Sequence, residues 1–140
     1  MLFSAENVKA KYADKIIACL ESLREEFRGL GFEVTNIDDW SDEEYAWQFS
    51  ASVKSNKDKT IGVDLYITEE KVREGEGYGF AFHLSIIGIG DEILGNYSPY
   101  NYTPQLWCRN WTDLDARMEM LSGITLGEDT VSSIIEYAGL

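Results

Sequence analysis

The chain has 140 residues, 44% of them hydrophobic and 13% aromatic, which is enough for one core and too apolar for a disordered chain. Twenty-five acidic against twelve basic side chains leave a formal charge of −13 and a pI near 4.3, a balance that repels phosphate backbones and anionic lipid and so argues against direct nucleic-acid or membrane-surface binding. No apolar run approaches the roughly 18 residues of a membrane span, and Met1-Leu2-Phe3-Ser4 lacks the basic start of an export signal; the expectation is one cytoplasmic domain over 1–140.

Ser4 can cap a helix running to about Arg28, because Val8, Tyr12, Ile16, Leu20, Leu23 and Phe27 recur at spacings of three and four and must bury one stripe. Gly29 and Gly31 bracket its end, and Phe32 with Val34 begins a short strand. From Glu33 to Glu44 the chain carries Glu33, Asp38, Asp39, Asp42, Glu43 and Glu44 and no basic residue. This acidic block lacks the central glycine of a calcium loop, which leaves solubility, or contact with a basic partner, as its uses.

Three segments with period-two alternation follow: Tyr45, Trp47, Phe49, Ala51, Val53; then Ile61, Val63, Leu65, Ile67; then Tyr78, Phe80, Phe82, Leu84, Ile86. They predict one apolar face of an antiparallel meander, covered by the first helix, with polar links at Ser55–Lys59 and Glu69–Gly77. The opposite face carries Gln48, Ser50, Ser52, Asp64, Tyr66, Ala81, His83 and Ser85. That face is either simply solvated or a surface for a ligand, and Gln48, Asp64, Tyr66 and His83 are its candidate binding residues.

Residues 88–110 read as one long loop with Gly88, Gly90, Gly95, Pro99 and Pro104, and with a near repeat, Asn96-Tyr97-Ser98-Pro99-Tyr100 followed by Asn101-Tyr102-Thr103-Pro104-Gln105. Tyr97, Tyr100, Tyr102 and Trp107 combine flat apolar faces with polar tips, a composition suited to recognition or to packing as a lid. The sequons at Asn96, Asn101 and Asn110 are expected to be composition, a reading that would reverse if the protein were exported. Two helices end the chain: Thr112 with Asp115 predicts a cap for the first, which Ser122-Gly123 ends, and Thr125 with Glu128 predicts a capping box for the second. The fold class is therefore α+β: an N-terminal helix on an antiparallel meander of about four strands, a long aromatic loop and two C-terminal helices.

Catalytic patterns are weak. Cys19 and Cys108 form no CxxC pair and read as free thiols, and with His83 as the one histidine a zinc site would draw on four separate segments. His83 and Cys108 make a nucleophile and base only if the fold joins them. Gly75-Glu76-Gly77-Tyr78-Gly79 leads into a strand, which a phosphate loop does not. In size, acidity and helices on an antiparallel sheet the chain is similar to class I type III secretion chaperones, but its strand order and its aromatic loop before two terminal helices depart from theirs, so no residue is carried over. No catalytic residue, metal or cofactor is expected. The expected function is a non-catalytic acidic protein-binding module (a regulator, inhibitor or immunity-type factor) that meets another, basic protein through Tyr97, Tyr100, Tyr102, Trp107, Asp38, Asp39, Asp42 and Glu43. The alternatives are a small-molecule binder or minor enzyme on the polar sheet face, and homodimerisation through an edge strand or uncovered sheet.

Overall fold

In the computed structural model, which describes residues 2–39, 46–53, 56–71, 78–88, 92–97 and 108–140, helix α1 spans Ala5–Gly29. The extended Ser4 caps it by accepting a hydrogen bond from the Asn7 backbone N–H at 3.3 Å. Its buried stripe is Val8, Tyr12, Ile16, Cys19, Leu20, Leu23 and Phe27. Only one of the two bracketing glycines needs the left-handed conformation: Gly31, at φ +95°. There the N–H of Phe32 donates to the Phe27 carbonyl and that of Gly31 to the Arg28 carbonyl, each at 3.0 Å, and the Phe27 and Phe32 rings meet edge-on at 5.4 Å. These are the paired bonds and apolar contact that close a helix tightly.

Strands β1 (Glu33–Val34), β2 (Asp38–Asp39), β3 (Ala46–Val53), β4 (Asn56–Lys71), β5 (Tyr78–Gly88) and β6 (Glu92–Tyr97) form one antiparallel sheet. The order is β1-β3-β4-β5-β6, with β2 sharing the outer edge of β3 with β1. The strands of the meander extend further than the hydrophobic alternation indicates, since β4 begins at Asn56 and ends at Lys71. The expected uniform loop over 88–110 is corrected: β6 lies within it, pairing with β5, and Cys108 exchanges backbone hydrogen bonds of 2.9 and 3.0 Å with Phe80.

Side-chain alternation divides the sheet into two faces. Trp47, Phe49, Ala51 and Val53 with Ile61, Val63, Leu65, Ile67, Phe80, Phe82, Leu84 and Ile86 are buried on one of them, together with the α1 stripe. Helix α1 crosses β3 and β4, and the last helix, α3 (Glu128–Ala138), packs on β4 and β6. At that contact the fold leaves no room: a Cβ on Gly88 would stand 2.5 Å from Cε2 and Cζ of Tyr137.

Helix α2 (Trp111–Met118) is capped by Asn110, whose side-chain oxygen accepts from the Asp113 N–H at 2.8 Å, not by the expected Thr112. Asp115 is released for a tertiary role and accepts from Tyr12 Oη and from Lys11 Nζ, the latter also lying 4.8 Å over the Trp111 ring. A 3₁₀ turn over Glu119–Gly123 follows. The expected capping box at Thr125 and Glu128 is likewise replaced: Gly127 takes the cap position without a side-chain bond, while the Leu126 N–H donates to both carboxylate oxygens of Glu26 at 3.2 Å. Besides the local cap at Asn110, both C-terminal helices are thus anchored by partners about a hundred positions away.

Gly88→Ala is expected to lower unfolding stability by about 1–3 kcal/mol through overpacking against Tyr137, and Asn110→Ala by about 1 kcal/mol through loss of a cap. Urea denaturation of both, beside Gly62→Ala, where a Cβ meets only an ordinary 3.8 Å contact, checks the assignment.

Candidate functional site

Burying the odd residues of β3 and β4 and the even residues of β5 against the helices forces the alternate residues to the other face, where cross-strand register decides which of them meet. Gln48 stands opposite Asp64, and Asp64 opposite Ser85. One step along, Tyr66 stands opposite His83. The four candidates separated by up to 35 positions in the chain, Gln48, Asp64, Tyr66 and His83, therefore form one patch on adjoining strands.

One acidic candidate joins them. Asp38 pairs with Gln48, which extends the row to Asp38, Gln48, Asp64 and Ser85 across four strands. The chain before it is held to β3 by two bonds, Thr35 N–H to Ser50 O at 2.9 Å and Ser50 N–H to Thr35 Oγ1 at 2.8 Å, and to α1 by a third, Arg24 Nε to Thr35 O at 2.8 Å. Asp39 pairs with Trp47 and so falls to the other side of the same edge; both aspartates are exposed. Sequence alone carried no signal for the Asp38 contact, because a two-residue strand has no periodicity to read.

The patch is not the freely solvated face that antiparallel sheets commonly leave. His83 is 3% exposed, and Gln48, Ser50, Asp64, Tyr66 and Ser85 are all partly buried. The Tyr66 and His83 rings stack, 4.9 Å between centroids and 23° between planes. Removal from water pushes the His83 imidazole below its ordinary value and the Asp64 carboxyl above its own, because burial disfavours the charged form of each. At neutral pH the site thus holds a neutral imidazole beside an acid drawn toward its protonated form.

No protein-family model, curated protein or solved structure matches the chain. The site must be read from its own residues.

Tyr97 ends β6 opposite Leu84, and Cys108 pairs with Phe80, so the two described ends of the aromatic segment are fixed to one edge of β5 on either side of Phe82 and His83. Tyr100, Tyr102 and Trp107 lie outside the described residues, as do Asp42 and Glu43. A Cys108–His83 dyad is not formed: Cys108 pairs beside Phe80 and belongs to the core under the helices, whereas His83 is on the opposite face. Burial raises both thiols, Cys19 to about 11, against the thiolate character a nucleophile needs. Among the described residues no group of three or more His, Cys, Asp or Glu is placed to hold a metal ion, and no helix is long and apolar enough to cross a membrane.

Two pH effects follow. Because His83 is depressed in the folded protein, unfolded chains take up its proton first, and stability is expected to fall as pH drops below about 6.5, by at most about 1.4 kcal/mol per pH unit; His83→Gln flattens that limb of a melting-temperature profile. Asp64 has the opposite sign, its folded value being raised, so its contribution is present in acid and lost as pH rises. Asp64→Asn is expected to raise the melting temperature at pH 7, and the gain vanishes below about pH 3.8, where the carboxyl is neutral in both states.

Proposed function

We propose that the protein is a non-catalytic, cytoplasmic, acidic binding module, a regulator, inhibitor or immunity-type factor, that receives a basic protein on the sheet face opposite its helices. The observation that carries this reading is the segregation of charge. Among the described strand side chains, register places Glu33, Asp38 and Asp64 on that face with His83, and no lysine or arginine. Lys11, Lys15, Arg24 and Arg28 belong to the helical layer, where Lys11 and Lys15 bond Asp115 and Glu119.

Such a face in a chain of net charge −13 steers a cationic partner toward it before any short-range contact forms. Ser85 then offers a hydroxyl beside the carboxylates, and Asp64, already partly dehydrated, loses less hydration on contact than a fully exposed carboxylate would. Raised thiols and the separation of Cys108 from His83 support a binding role over nucleophilic catalysis. Tyr100, Tyr102 and Trp107 are proposed as aromatic contacts of the partner, and Asp42 and Glu43 as acidic ones.

Partial burial of the polar row favours a second reading, in which a small molecule is held beside Tyr66 and His83. A thermal-shift screen separates the two: a compound that raises the melting temperature of the native protein and not of His83→Gln selects the small-molecule reading.

For the protein-binding reading, immobilised protein is exposed to lysate at low and high salt beside an Asp38→Lys/Asp64→Lys double variant and Trp107→Ala. The expected result is a basic protein retained by the native chain, bound about tenfold more slowly at raised salt or by the double variant, and lost by Trp107→Ala. Equal capture by all of them overturns it.

A further inference from the structure

A groove of about 230 Å³ opens on the helical layer, far in the fold from the polar sheet face and independent of the function proposed for it. Ala18, Cys19 and Ser22 of α1 face Met118, Leu121 and Ser122 across it. It exists because α1 presents two small side chains one turn apart, Ala18 and Ser22, and the 3₁₀ turn opposite answers with Ser122-Gly123, so a gap remains beside the Lys15–Glu119 ion pair. Cys19, Met118 and Leu121, at 4%, 1% and 5% exposure, make an apolar floor.

The charges around it define what it accepts. Lys15 is the one charged residue of the lining, and its ammonium is bonded to the Glu119 carboxylate. An incoming group therefore meets no uncompensated charge, and the net −13 of the chain works against an anion. Hydrogen-bonding capacity comes from hydroxyls: Ser122 donates its proton to the Glu119 carbonyl at 2.8 Å, which leaves its oxygen as an acceptor. Two of the residues of that floor, Cys19 and Met118, carry sulfur, and divalent sulfur packs favourably at aromatic edges. Apolar cavities of about 150 Å³ already accept benzene.

We propose that this groove binds a small neutral aromatic molecule of one or two fused rings carrying a single O–H or N–H donor, with the ring against Met118, Leu121 and Cys19 and the donor toward Ser122.

Indole is the probe, titrated into the isotopically labelled full chain and followed by backbone amide shifts, with benzoate in parallel as a flat ring that carries a negative charge and no donor. Saturable shifts at Ala18, Cys19 and Ser122 are expected, with benzoate at least about tenfold weaker. Ala18→Leu fills the groove from an exposed helical position with a good helix former, and is expected to weaken indole by about tenfold or more; Ser22→Met repeats the test from the next turn. The proposal is overturned by the absence of saturable shifts up to the solubility of indole, by undiminished binding in a folded Ala18→Leu or Ser22→Met protein, or by benzoate binding as tightly as indole. Because none of these substitutions touches the sheet face, capture of a basic protein there is read separately.

Discussion

The contact between the α1 stripe and the apolar face of the meander is the constraint from which the rest of the structure follows. Trp47, Phe27, Phe49, Ile16, Leu20 and Leu65 are all less than 2% exposed, and they come from one helix and two strands that form only part of a core by themselves. Burial of an aromatic or branched side chain contributes about 1.5–3 kcal/mol each, and none of it is available until helix and sheet meet. The interface also sets the register, because a slip by one residue in β3 or β4 would carry Trp47 or Leu65 to the other face and bring Gln48 or Asp64 inside.

The same alternation that builds the core builds the site. Every apolar residue committed to the helical side commits its neighbour to the opposite side, so the row Asp38, Gln48, Asp64 and Ser85 is a geometric consequence of burying Trp47, Leu65 and Leu84. It carries an energetic cost. A partly dehydrated carboxylate at Asp64 and a buried imidazole at His83 both oppose stability in part of the pH range, in opposite directions. Such polar groups, partly buried and costly to stability, set this face apart from one that is simply solvated.

The C-terminal helices show a different economy. They are short, and distant side chains anchor them: Asp115 within α2 is bonded to Tyr12 and Lys11, and Leu126, just before α3, to Glu26. Phe3 adds edge-on contacts to Phe80 and Trp111 at 4.9 and 5.0 Å, and so ties the beginning of the chain to β5 and α2. The helical layer is therefore knit mainly through α1, and the groove beside Cys19 marks where small side chains leave that layer open.

Much of this was legible from residue order because it rests on local periodicity. The α1 stripe, the three alternating strands and the polar face with Gln48, Asp64, Tyr66 and His83 all follow from spacings of three, four and two, which backbone geometry imposes within a few residues. β2, β6 and the Cys108 bridge were not legible, since two to six residues paired with a distant edge leave little or no periodic trace; nor were the true partners of Asp115 and Leu126, about a hundred positions away in the chain. The sequence by itself determined the element types, the apolar face and the sign of the charge. Only the tertiary structure decided that Asp38 joins Gln48 and Asp64, that Cys108 and His83 part to opposite faces, and that His83 is withdrawn from water, because register and burial are set by contacts between segments that no single window of the chain contains.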